Sequence, residues 1–259
     1  MTRRDHAPIG APCWVDLSTS DVEGSRRFYA ELLGWEAQEP NPEFGGYFMF
    51  TREGVPVAGA YGDMGDVVAD DAWKIYLATA DADATAAATV DRGGAVLAGV
   101  GDVADMGRQV VLADPAGAVI GSWQEGTFPG FVDIDEPGAP SWFELHTRAY
   151  DRVLDFYRDV FGWTTQVEGD TEAFRYTTMI DPADGHQHCG VMDAPWLPEG
   201  SPGAWSVYWE TSDTDTTAAL AVRLGGSVVD GPVDTPYGRI ATVADPAGAL
   251  FRLRTGPTA

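Results

Sequence analysis

The chain has 259 residues, of which 44% are hydrophobic and 11% aromatic, enough to fill one large or two medium packed domains and to exclude overall disorder. Forty Asp and Glu against sixteen Lys and Arg leave a formal net charge of −24, a surface that repels phosphate backbones and anionic lipid and so excludes nucleic acid and membranes as expected partners. No apolar run is long enough to span a bilayer, and the start MTRRDHAPIGAP has no signal-peptide core, so a soluble cytoplasmic protein is expected. Cys13 and Cys189 form no close-spaced metal or redox motif.

His6 falls in an N-terminal stretch expected to be a flexible tail. A short alternating strand, Cys13 to Thr19, runs into Ser20-Asp21, a helix start with Glu23 completing a capping box. Val22, Tyr29, Leu32 and Leu33 share one helical face, and Gly34 stops the helix. Strands are predicted at Trp35 to Gln38, Gly46 to Arg52 and Pro56 to Gly62. Trp73 to Thr79 is a further strand feeding a second helix, Asp83 to Arg92, which Gly93-Gly94 ends. Strands at Val96 to Gly99, Gln109 to Ala113 and Ala118 to Gln124 complete the half. The DPAG sequence before the last strand reads as a turn, with Pro fixing φ and Gly supplying a left-handed position.

The whole pattern then repeats. Phe28-Tyr29 and Gly34-Trp35 recur as Phe156-Tyr157 and Gly162-Trp163; WKIYLATADAD from Trp73 recurs as WSVYWETSDTD from Trp205; and ADPAGA at Ala113 recurs unchanged at Ala244. Matches in one order at nearly constant offset mark a tandem duplication. The expected organisation is an N-terminal domain at 1–126, a linker at 127–139 and a C-terminal domain at 140–259. Each domain holds two β-α-β-β-β modules.

The fourfold β-α-β-β-β order, with FY…LGW closing the first helix and ADPAGA before the last strand, resembles the vicinal oxygen chelate superfamily of glyoxalases, extradiol dioxygenases and bleomycin-resistance proteins. The motif PCWVDLSTSD…FYAELLGW and the duplicated length are similar to its two-domain, actinobacterial glyoxalase/hydroxylase-like branch. The resemblance implies an α+β fold in which the four modules form two open, cup-shaped mixed β-sheets with helices outside. Each cup would hold a small molecule, often over a divalent metal.

The resemblance also places the family's metal ligands. The first falls at Trp14 and Trp142, the second at Lys74 and Ser206, and the third at Gly121 and Arg252. Trp does not ligate, and Arg or Lys repels a divalent ion. The expected cofactor is therefore none. A non-standard alternative remains in the second half, where strand alternation gathers Glu144, His146, His188 and Glu210. Two histidines with carboxylates would suit Fe or Zn. Against it stands a bland reading, with His186 and His188 in a solvated loop and Glu210 paired to Arg252 or Arg254.

The aromatic lining recurs in both halves. The expected substrate-binding residues are Trp14, Asp16, Lys74, Tyr76 and Trp123 in the first, and Trp142, His188, Tyr208 and Arg252 in the second. Lys74, the only lysine, is either a Schiff-base candidate of depressed pKa or the partner of Asp16 in an ion pair. Glu144, His146 and Glu210 are the expected catalytic residues, on the premise that aromatic surroundings raise a carboxyl toward neutrality. Three functions follow: a metal-free acid–base enzyme acting on a small aromatic or polyketide-like metabolite, a metal-free binding protein of the bleomycin-resistance type, and a metal-dependent glyoxalase, hydroxylase or dioxygenase. The partner is a small molecule, and the chain is expected to be a monomer or homodimer.

Overall fold

The computed structural model describes residues 2–65 and 68–257. In chain order, β1 (Thr2–Arg3) precedes a first module of β2 (Pro12–Ser18), α1 (Val22–Leu33), β3 (Glu36–Ala37), β4 (Phe48–Arg52) and β5 (Val55–Tyr61). The second module is β6 (Ala72–Ala78), α2 (Ala82–Asp91), β7 (Ala95–Val103), β8 (Gly107–Ala113) and β9 (Val119–Glu125), followed by β10 (Asp133–Ile134). The third comprises β11 (Pro140–Thr147), α3 (Tyr150–Phe161), β12 (Thr164–Thr171), β13 (Phe174–Ile180) and β14 (Gln187–Asp193). The fourth comprises β15 (Ala204–Glu210), α4 (Thr214–Arg223), β16 (Ser227–Thr235), β17 (Gly238–Ala244) and β18 (Leu250–Thr255).

Two eight-stranded mixed sheets result, ordered β3-β4-β5-β2-β6-β9-β8-β7 and β12-β13-β14-β11-β15-β18-β17-β16. Within a module the first strand runs parallel to the last; across modules the two first strands pair antiparallel, β2 with β6 and β11 with β15. Each sheet thus has a local twofold at its centre. The duplicated sequence predicts this α+β architecture, and the structure has it.

The local chemistry explains the helix ends. Asp21, not Ser20, caps α1: its carboxylate accepts from the Gly24 amide at 2.8 Å. Glu23 is then too early for a capping box and pairs with Arg26, while Ser20 bonds Asp71 across the β5–β6 connection. Gly34 and Gly162 end α1 and α3 at φ 72° and 69°, the left-handed region a glycine enters without cost. The strand expected at Val96 to Gly99 runs on as β7 to Val103. Register shifts on either side of Ala98 let the chain bend through its glycines without leaving the sheet. The N-terminus is not a free tail, since β1 pairs with β10 and His6 lies 3.0 Å from Glu125.

The two halves share one hydrophobic core. Strand residues that point away from the cups, such as Trp73, Ile75, Phe143 and Leu145, pack against helices α1 and α3. The FY…LGW and ADPAGA motifs meet here, across the duplication. Tyr29 of α1 donates to Asp245 in the second half at 3.0 Å, and Tyr157 of α3 donates to Asp114 in the first at 3.2 Å. Trp73 and Trp205 donate in turn to those tyrosine oxygens. Trp35 and Trp163 close the arrangement on the Gly138 and Gly10 carbonyls. Asp114 and Asp245 also accept amides of their own turns, so one carboxylate shapes the turn and fastens the opposite half. Among the described residues no helix is long and apolar enough to cross a membrane.

Candidate functional site

The concave face of the second sheet carries a buried polar network. A bulge between Pro140 and Trp142 sets the phase of β11 so that Trp142, Glu144 and His146 face the cup while Phe143 and Leu145 face the core. Glu144 is the hub. Its carboxylate accepts from His146 Nε2 at 2.6 Å, Tyr176 Oη at 2.8 Å and Tyr208 Oη at 2.8 Å, with Arg252 Nη1 at 3.5 Å. Arg252 also donates to Tyr208 Oη at 2.5 Å and lies 3.2 Å from His146 Nδ1; Trp142 donates to Tyr176 Oη at 2.9 Å. A cavity of about 480 Å³ opens above this floor, with Trp142, Glu144, Tyr176, Tyr208, Tyr237 and Arg254 in its walls. His146 and Arg252 stand behind Glu144 and do not line it.

Electrostatics follow from this packing. Burial pushes the Glu144 carboxyl up, but the His146 hydrogen bond, the Arg252 charge and the Tyr208 hydroxyl outweigh it and hold Glu144 below the ordinary carboxylate range. The expected rise toward neutrality is therefore reversed, because aromatic walls alone do not describe a site that also holds a histidine donor and a guanidinium. Tyr176 and Tyr208 are pushed well up, first by burial and then by the Glu144 charge, so both remain protonated donors.

The first sheet carries the counterpart. Asp16 accepts from Trp14 Nε1 at 2.9 Å and Tyr47 Oη at 2.8 Å. Opposite it in register, Lys74 donates to Tyr61 Oη at 3.0 Å instead of closing an ion pair with Asp16. Burial pulls the Lys74 ammonium down, but Tyr61 and Asp16 together hold it above its ordinary value, which keeps the cation and disfavours Schiff-base chemistry. Asp16 goes the other way, raised by burial against the partial relief of Tyr47, Lys74, Tyr76 and Trp14. Tyr76 lies over Gly121, where a Cβ would come within 2.2 Å of its ring. Phe128 packs edge-on at 4.9 Å from Trp14, and Trp123 donates to the Phe128 carbonyl. Tyr76, Trp123 and the linker's Phe128 thus pack around the Trp14–Asp16 pair.

The remaining candidates separate. A register shift between Met179 and Ile180 leaves His188 opposite no residue of β13 and breaks its alternation with Gly190. His188 lies in a small chamber with Arg4, Pro12 and Phe131, and burial lowers it to about 4. Glu210 accepts the Gly256 amide at 2.8 Å and approaches Arg254 at 3.5 Å. Glu144, His146, His188 and Glu210 are thus not brought to one point, and no group of three or more His, Cys, Asp or Glu able to hold a metal exists among the described residues.

The family's metal position can be tested on its own residues. Trp142 turns an N–H donor to Tyr176, and Arg252 lays a guanidinium against Glu144 and His146. Both groups are donors, and the cation place beside the one well-placed carboxylate is already taken. The residues do not fit a divalent ion there.

Tyr176 and its counterpart Tyr47 escaped the sequence reading. They stand 129 residues apart, Tyr176 on β13 and Tyr47 immediately before the equivalent β4, an offset matching the repeat, so aligning the two halves residue by residue finds them. Arg254 and Tyr237 carry no such signal.

Residues 140–253 match the family model of the Glyoxalase/Bleomycin resistance protein/Dioxygenase superfamily, and residues 14–120 match that of the Glyoxalase-like domain. The anthracycline biosynthesis protein DnrV of Streptomyces peucetius is 38% identical over 268 residues, covering 97% of this chain and 94% of that protein. CFP32 of Mycobacterium bovis is 36% identical over 262 residues, covering 97% of each. Among solved structures, the Mn(II)-bound glyoxalase from Novosphingobium aromaticivorans superposes with a TM-score of 0.64 at 16% identity, covering 98% of this chain and 83% of that one. With full-length relatives above a third identical and the same duplicated fold, the chain belongs to the Glyoxalase/Bleomycin resistance protein/Dioxygenase superfamily.

Proposed function

We propose that the chain is a glyoxalase-like enzyme that binds a small aromatic or polyketide-like metabolite in its C-terminal cup and moves a proton on it by metal-free acid–base chemistry. The observation that carries this reading is an ionised, buried carboxylate, Glu144, at the floor of an aromatic cavity with two phenols beside it. The name of DnrV, an anthracycline biosynthesis protein, supports the ligand class. In the proposed step Glu144 takes a proton from carbon or oxygen of the ligand. The electron pair moves to a ligand carbonyl oxygen, and Tyr208, backed by Arg252, re-donates its hydrogen bond to that oxyanion. Return of the proton elsewhere completes an isomerisation; attack of the carbanion on a second carbonyl of the ligand, whose oxygen takes the proton back from Glu144, completes a cyclisation; and departure of a leaving group that takes that proton completes a dehydration or lyase-type step.

A second reading, sequestration of the same ligand class, is favoured by one fact. The Glu144 oxygens are already occupied by donors, as in a purely structural network. One experiment separates them: a panel of hydroxyanthraquinones and aromatic β-keto acids, with binding followed by tryptophan quenching and turnover by chromatography. An enzyme converts a panel member, and Glu144→Gln keeps its Kd within about threefold while losing at least about 100-fold in turnover. Tight binding with no conversion by the unaltered protein supports sequestration.

A further inference from the structure

Arg254 differs from the arginines of this acidic chain that two or more carboxylates hold. Arg175 is held by Asp151, Asp170 and Asp193; Arg239 by Asp215 and Asp234; Arg108 by Asp83 and Asp102; and Arg26 by Glu23 and Glu39. Arg254 has one ion-pair approach among the described residues, Nε to Glu210 Oε2 at 3.5 Å, and the geometry is too poor for a hydrogen bond. Both of those atoms are buried without a hydrogen-bond partner. The better-placed Glu210 oxygen is occupied by the Gly256 amide. Asp135 shares the cavity wall and feels the Arg254 charge, but closes no ion pair with it at contact distance among the described residues. A guanidinium with spare, fixed donors in a cavity wall matches a planar acceptor with two oxygens.

Its place along the strand sets the length of what it holds. Arg252 faces Tyr208 and Arg254 faces Glu210 in the β15–β18 register, so Arg254 stands two residues further along the same face, about 7 Å beyond the Tyr208–Arg252 layer and on its far side from Glu144, which pairs with Ser206. Trp142 and Tyr237 line the same cavity. Resting on the proposed use of the C-terminal cup, the geometry points to a ligand that carries a carboxylate on a fused aromatic skeleton, with Arg254 clamping the carboxylate and the far end presented to Glu144. Arg254 is then the residue that sets specificity, and it takes no part in the proton transfer.

The test compares two probes of one shape, anthraquinone-2-carboxylate and anthraquinone-2-carboxamide, titrated into the full chain with tryptophan quenching as readout. The unaltered protein should bind the carboxylate at least about tenfold more tightly. Arg254→Met should erase that preference while leaving the carboxamide Kd within about threefold, and Arg254→Lys should keep part of it. Retention of carboxamide binding shows that the variant is folded. If both probes bind the unaltered protein with equal affinity, or if Arg254→Met keeps the preference, the cavity stands and the Arg254 assignment is overturned. If neither probe binds the unaltered protein, the reading of the cup as an aromatic-ligand site falls and this inference falls with it.

Discussion

The two cups are duplicates in strand order and in the residues that line them, yet their central carboxylates are driven in opposite directions. Asp16 and Glu144 occupy equivalent places on β2 and β11, each beside a tryptophan N–H and a tyrosine hydroxyl. The difference lies in what stands behind them. The second half has Arg252 and His146; the first has Gly121 and Ser18 at the matching positions, and the cation opposite Asp16, Lys74, is turned to Tyr61. Without a cation in contact, burial dominates and Asp16 is raised; with one, Glu144 is lowered. Two differences between the repeats, serine to histidine and glycine to arginine, thus accompany the change from a raised aspartate in one cup to an anionic floor under open space in the other.

The largest effect predicted from this comparison is on turnover. Glu144→Gln should lose at least about 100-fold, whereas Asp16→Asn should change it less than twofold. Measuring both variants on one converted substrate would break the comparison if they fell together. Next is Arg252→Met, which removes the guanidinium that helps the His146 hydrogen bond hold Glu144 down. The acid limb of the pH–rate profile should lie below the ordinary carboxylate range in the unaltered protein and move up in the variant.

Stability provides a third contrast, with the sign worked out for each group. Glu144 is lowered in the fold, so its contribution is present above the ordinary carboxylate pKa and is lost as pH falls through the lowered value. Glu144→Gln should therefore cost about 2 kcal/mol at neutral pH, measured by urea unfolding, and less in acid. Asp16 is raised, so stability falls as pH rises from its unfolded value through its folded one. Asp16→Asn should thus grow more stable relative to the unaltered chain as pH increases. The smallest effects belong to the clasp between halves. Tyr29→Phe and Tyr157→Phe should each cost about 1 kcal/mol and match one another, because each leaves a buried aspartate and a tryptophan N–H short of a partner.

The fold was largely legible in the sequence because repetition is a local signal. FY…LGW and ADPAGA each mark an element's end by its own chemistry, and their recurrence fixes four modules without reference to packing. What lies between the halves was not legible. Asp114 reads as a turn residue until Tyr157 arrives from the other half, a partner 43 residues away along the chain. Glu144 and Arg252 were visible as candidates, but their mutual effect was not, since alternation gives the face of a strand and says nothing of which cation reaches which carboxylate. His188 was misplaced for a related reason. Alternation through a bulge shifts every later side chain, and no residue in GHQHCGVMD announces the bulge.

The most direct test of the central claim, that the C-terminal cup is the working site, is a crystal structure of the full chain with anthraquinone-2-carboxylate. The account predicts the ring system between Trp142 and Tyr237, one end over Glu144 and the carboxylate on Arg254, with Trp14 and Phe128 still packed together in the first cup. A probe lodged in the first cup, with Phe128 displaced and the C-terminal cavity filled only by water, would contradict it.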